Sequence, residues 1–174
     1  AGFETVKEGM ADASMGNFVK QIMMNEIAPC VVDHSISMEE AMQFSKKVVE
    51  RFQNPFLEHK WVSITLNYTQ KMKQRNVPLL LKHYDQRETV PQLMALGFAA
   101  YLLFMKCEAG ENSTYCTTIN GVKHPVQDEA AGYFSETWQS SDVKKVVATV
   151  LSNSSLWDTD LTTLPGFENA VVNN

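Results

Sequence analysis

Between Val90 and Met105 the chain carries no charged residue, and Leu93, Met94, Leu96, Phe98, Tyr101, Leu102, Leu103, Phe104 and Met105 would surround a helix with apolar side chains on nearly every side. A helix of that kind has to be covered by other elements. The run falls short of the roughly 20 residues needed to cross a bilayer and is interrupted by Pro91, Gln92 and Gly97, so it reads as a buried central helix. Thr89 is the expected cap, with Pro91 in the first turn, where its missing N–H costs nothing.

The segments around it supply helices with one apolar face. Met15, Phe18, Val19, Ile22, Met23 and Ile27 recur at helical spacing from Ser14 to Ala28, and Pro29 is the expected stop. Ser37-Met38-Glu39-Glu40 has the form of a capping box, and Met38, Ala41, Met42, Phe44, Val48, Val49 and Phe52 give the following helix its buried face. Asn54-Pro55 ends that helix and can open the next, because proline pushes its predecessor out of the α region yet fits a first turn. A helix running on from Pro55 would align His59, Ser63, Asn67, Gln70 and Lys71 on one stripe and Trp61, Ile64, Tyr68 and Met72 on the other. The polar stripe offers neutral hydrogen-bonding groups ending in a cation, which suits a hydroxyl-rich anionic small molecule; a solvated helix surface is the bland alternative.

Pro78 marks a further boundary, before a short helix at 79–84. Asn120-Gly121 between Thr117-Thr118-Ile119 and Val122-Lys123-His124-Pro125-Val126 is a two-residue hairpin signal, since both turn positions tolerate positive φ. Helical patterns return at 128–139 and 142–151, the latter capped by Ser140 or Ser141, and a looser tail holds Trp157, Leu161, Leu164 and Phe167. The expected fold class is therefore mainly α, a helical bundle with one small β-hairpin around Asn120-Gly121.

With 174 residues, 44% hydrophobic and 20% charged, the chain is the size of one globular domain, 1–174. A net charge of −5 lacks the basic surplus of a phosphate-binding surface, so nucleic acid is not an expected partner, nor is a membrane. Cys30, Cys107 and Cys116 are odd in number and irregularly spaced, which reads as reduced thiols in the cytoplasm and as no zinc site. The glycosylation-like triplets at Asn67, Asn112 and Asn153 are then read as accidents. Ala1-Gly2-Phe3 resembles no signal peptide, and the chain opens as though cut from a longer protein.

No phosphate-cradling loop, nucleophile elbow or His-Glu-x-x-His helix occurs. His34, His59, His83 and His124 are scattered. Lys71, Lys73, Arg75, Lys82 and His83 form the one local concentration of positive charge, and Lys71 with Arg75 is a candidate carboxylate clamp because two converging cations give charge-assisted hydrogen bonds.

Arg51-Phe52-Gln53-Asn54-Pro55-Phe56, then His59, Ser63-Ile64, Leu66-Asn67 and Lys71-Met72-Lys73-x-Arg75-x-x-Pro78, resemble the C-terminal domain of the mannitol dehydrogenase family, and within it the tagaturonate reductase (altronate oxidoreductase) branch. Gly121-x-x-His124-Pro125-Val126-Gln127-Asp128 and the opening Ala1 to Glu8 are similar to the same branch. The resemblance implies a fold like the 6-phosphogluconate dehydrogenase C-terminal domain, an upstream Rossmann domain that holds NAD, no metal, and a sugar-acid substrate. It also implies a catalytic lysine, an asparagine five residues on and a histidine three after that. Lys20 with Asn25 and Lys71 with Asn76 have the first interval, but Ala28 and Leu79 stand at the histidine position. No catalytic residue is therefore expected in this chain, which should be inactive alone.

On the same resemblance Lys71 aligns with a lysine that binds substrate hydroxyls, while Ser63 replaces an arginine and His59 an aspartate of the mannitol enzymes. The expected substrate-binding residues are Lys71, His59, Ser63, Asn67 and Arg75. The implied reaction is reduction of the tagaturonate ketone to altronate with NADH, the upstream lysine giving the proton. A fructuronate reductase or mannitol-type domain, and a helical protein-interaction module, are the rival readings.

Overall fold

The computed structural model describes residues 2–174; Ala1, the first residue of the family-like opening, lies outside the described residues. The described residues form two compact units, 2–64 and 65–174.

In the first unit, α1 (Val6–Ala11) opens with a capping box between Thr5 and Glu8, and α2 (Ala13–Gln21) is capped by the Asp12 carboxylate, which accepts the Met15 N–H at 2.8 Å. The corner between them requires Gly16, because a Cβ there would lie 2.6 Å from the Met10 carbonyl oxygen. The expected stop at Pro29 does not occur. A π-helical stretch, Ile22–Ile27, follows α2, and α3 (Ala28–Val31) carries Pro29 inside it. The Ala28 N–H bonds back to Met23, five residues away. A proline ring collides with the carbonyl four residues back in an α-helix, and the wider turn accommodates it without ending the helix.

The helix α4 (Met38–Phe52) starts as expected: the Glu40 N–H donates to Ser37 Oγ, and the Ser37 N–H donates to Glu40 Oε2 at 2.8 Å. Its Val49 joins Val6 and Met10 in a small core, against which Val19, Met23, Phe52 and Trp61 pack.

Asn54-Pro55 ends α4, but Pro55 does not begin a helix. The Asn54 side chain accepts the Phe56 N–H at 2.9 Å, and the chain then runs extended. Lys60 bridges to Thr5, the Val6 N–H donates to the His59 carbonyl at 2.9 Å, and the Trp61 N–H to the Glu4 carbonyl at 3.1 Å. Pairing with the chain's opening claims the backbone groups that a helix would have needed. Only α5 (Trp61–Ile64) is helical before the unit ends.

The second unit begins with α6 (Tyr68–Lys71), passes into a π-helical stretch, Met72–Asn76, and continues as α7 (Val77–Gln86) with Pro78 in its first turn. The device at Pro29 recurs, as the Val77 N–H reaches back to Met72. Thus Pro78 lies inside a helical run and 79–84 is no separate helix.

The apolar run becomes α8 (Gln92–Phe104), with Met94, Ala95, Phe98, Ala99, Tyr101 and Leu102 buried. Coverage is incomplete, since Leu96 and Leu103 are exposed. Pro91 itself is the cap; Thr89 instead gives its carbonyl to His83 Nε2 at 2.8 Å. The hairpin of β2 (Tyr115–Ile119) and β3 (Val122–Pro125) turns at Asn120 (φ 51°) and Gly121 (φ 78°) as expected. Beside it lies β1 (Glu108–Ala109), so the sheet has three antiparallel strands in the order β1-β2-β3, with Thr117 opposite His124.

The helices α9 (Ala131–Thr137) and α10 (Val143–Leu151) follow; Asp142, not a serine, caps α10 by accepting the Lys145 N–H. The tail forms α11 (Ser154–Trp157) and α12 (Phe167–Val172) and is part of the core: Trp157, Leu161 and Phe167 are fully buried. Edge-to-face rings tie it to α8, with Phe98 5.6 Å from Trp157 and 5.4 Å from Phe167. Among the described residues no helix is long and apolar enough to cross a membrane.

Ser37→Ala should lower stability by about 1 kcal/mol in urea denaturation near neutral pH, the usual worth of an N-cap hydroxyl. The Ser37 hydroxyl and N–H also hold the Glu40 carboxyl below the usual carboxylate range. Because the folded value is the depressed one, that contribution is present above the ordinary carboxylate range and is lost as pH falls through the depressed value. The difference between the wild-type protein and Ser37→Ala should therefore narrow on acidification.

Candidate substrate-binding site

Lys71 is the last residue of α6, half-buried, and its backbone N–H donates to the Asn67 carbonyl at 3.2 Å. Arg75 lies four residues on, exposed in the π-helical stretch. Asn67 precedes α6 with φ 48° and ψ 50°, a left-handed conformation that asparagine tolerates better than most residues. His59 is exposed in the extended segment and Ser63 is exposed on α5. The single helical stripe from His59 to Lys71 is therefore not formed: 54–60 is non-helical, and a turn at 65–67 separates α5 from α6. Asn67, Lys71 and Arg75 remain on consecutive turns of one unit, while His59 and Ser63 belong to the other. His59 lines a shallow depression with Val6, Arg51, Phe52 and Leu57, whose space of about 10 Å³ suits one water molecule.

The cationic cluster also divides. Lys73 pairs with Asp158 at 2.7 Å. His83 is buried and donates Nε2–H to the Thr89 carbonyl, an acceptor only, so it closes the turn after α7. Lys71 and Arg75 lie four residues apart in one helical run.

What holds α6 in place is a buried polar network that spacing did not reveal. Asp128, just beyond β3, accepts the Thr69 N–H on Oδ2 at 2.7 Å, and the Thr69 hydroxyl on Oδ1 at 2.7 Å. It also accepts the Ala130 N–H at 2.9 Å, and the neighbouring Gln127 carbonyl accepts the Asn67 N–H at 2.9 Å. The Thr69 oxygen lies 2.8 Å from the Tyr101 hydroxyl. Since the single Thr69 hydrogen goes to the carboxylate, Tyr101 is the donor. Burial pushes the Tyr101 phenol far above its ordinary value, which keeps that proton in place. Tyr68 packs edge-on against Tyr101, 5.0 Å between ring centres. The signal in the sequence was Gln127-Asp128, which closes the second family-like tract.

The model of the mannitol dehydrogenase C-terminal domain matches residues 1–174. The chain belongs to that family. Altronate oxidoreductase of Yersinia enterocolitica is 33% identical to this mannitol dehydrogenase C-terminal domain over 179 aligned residues, 99% of the chain. The Escherichia coli O139:H28 protein of the same name is 33% identical over 181, the whole chain. The domain spans about a third of each relative, 34% and 35%. Mannitol 2-dehydrogenase of Pseudomonas fluorescens, solved as a ternary complex with NAD and D-mannitol, superposes with a TM-score of 0.76 over 99% of this chain and 32% of that one, at 21% identity. It establishes the fold alone.

The sheet among the described residues is antiparallel, and no strand leads through a glycine-rich turn into a helix. Among the described residues no three His, Cys, Asp or Glu side chains cluster as metal ligands. The arrangement places a lysine and an arginine one turn apart on a helical run whose first turn is anchored by Asp128, and such a pair can give charge-assisted hydrogen bonds.

Tyr101→Phe should cost about 1 kcal/mol of unfolding free energy, because it removes one buried donor while Thr69 keeps its bond to Asp128. Paired urea titrations would measure it.

Proposed function

We propose that this domain is the substrate half of an NAD-dependent hexuronate oxidoreductase, interconverting D-altronate and D-tagaturonate in the cytoplasm. The observation that carries the reading is the 33% identity to altronate oxidoreductases along the whole chain. The anchored Lys71 with Arg75 beside it supports it, since a uronate has a carboxylate that mannitol lacks. Lys71 takes substrate hydroxyls or the carboxylate, Arg75 reinforces the charge, and Asn67, His59 and Ser63 are further substrate-binding residues. These side chains bind and orient the sugar acid, which removes rotational freedom before reaction. The catalytic lysine, asparagine and histidine lie shortly upstream in the intact enzyme, and a Rossmann domain further upstream holds NAD, with no metal.

Turnover of tagaturonate, fructuronate and fructose by the full-length enzyme tests the reading. Tagaturonate should be preferred; preference for fructuronate would reassign the domain within the family, and preference for neutral fructose would eliminate the clamp. Lys71→Ala should raise KM for the uronate about tenfold or more, as loss of a charge-assisted bond implies, with NADH affinity little changed. An unchanged KM and kcat would remove Lys71 from the site.

A further inference from the structure

We propose that Asp128 is a positioning residue for Lys71: through Thr69 it fixes the first turn of the helical run that presents the lysine to the sugar acid. The inference rests on the proposed role of Lys71 and deepens it. Closing the first turn of a helical run orders several dihedrals for one hydrogen bond, so outside contacts on that turn matter. The N–H groups of that turn have no partner within it. In α6 the Asp128 carboxylate takes the Thr69 N–H at 2.7 Å, and the Gln127 carbonyl takes that of the left-handed Asn67 at 2.9 Å.

The turn is also held in orientation. Asp128 bonds Thr69 twice, once at the backbone and once at the hydroxyl, which fixes orientation as well as distance. Tyr101 of α8 holds the same hydroxyl from the core side, and the Ala130 N–H holds the carboxylate at the start of α9. Downstream, Met72 and Val77 are buried, so the helical run that carries Lys71 is fixed on both sides of it. The lysine's reach is thereby set by residues on the far side of the sheet turn in sequence. None of these residues is placed against the substrate, so their effect on KM passes through Lys71, the charged residue of this turn.

The test is a double-mutant cycle in the full-length enzyme, combining Thr69→Val, Thr69→Ser and Asp128→Asn with Lys71 or Lys71→Ala. Thr69→Val keeps the shape of the side chain and removes the hydroxyl. It should raise KM for tagaturonate about 10- to 100-fold, the cost of ångström-scale misplacement, with kcat less affected and the Kd for NADH unchanged. Thr69→Ser should restore KM, and in the Lys71→Ala background Thr69→Val should add nothing further. If Thr69→Val does not fold, Asp128→Asn gives the same reading. The proposal is overturned if Lys71→Ala raises KM while Thr69→Val and Asp128→Asn do not, or if their effects multiply in full with that of Lys71→Ala. If Lys71→Ala leaves KM unchanged, the proposed function of Lys71 falls first and this inference with it.

Discussion

The need to cover α8 organises the second unit. A helix with Phe98, Tyr101 and Leu102 buried has to recruit apolar surface from every part of the chain that can reach it. It does so from α9 through Phe134, from α11 through Trp157 and from α12 through Phe167, each ring meeting its neighbour edge to face. Such contacts add about 1 kcal/mol each beyond the area they bury. The Trp157 indole would be a liability in this core without a partner, and it donates to the Val150 carbonyl at 2.7 Å.

Tyr101 joins that core to the candidate site. Its ring packs against Tyr68, Phe134 and Trp157, while its hydroxyl ends the chain Tyr101, Thr69, Asp128. Buried polar groups are costly singly and rigid when fully satisfied. Here the satisfied network anchors the start of the helix that bears Lys71, so the most apolar part of the unit and the candidate substrate-binding lysine share one support.

Much of the fold was legible where the signal is local. The Ser37–Glu40 box, the break at Asn54-Pro55 and the turn at Asn120-Gly121 depend on a few neighbouring residues, and each forms as its chemistry dictates. The prolines at 29 and 78 misled because a helix has a second way to admit them, a wider turn just upstream. The stripe from His59 to Lys71 failed because His59 and Lys60 pair with residues some fifty positions earlier, a competition that periodicity cannot register. Trp157, Leu161 and Phe167 looked like a tail because their spacing is irregular, yet it matches the surface they cover rather than a helix of their own.

By itself the sequence determined the helical class, the hairpin, the family likeness and the location of the cationic residues, since composition, turn chemistry and motif order are properties of the chain. Tertiary structure alone decided what surrounds the cations: Lys73 goes to Asp158, His83 to the Thr89 carbonyl, and Lys71 sits on a helical run whose first turn is gripped by Asp128. The physical reason is that a hydrogen bond or ion pair is chosen by proximity in space, and residues 69 and 128, distant in sequence, are neighbours only in the folded chain.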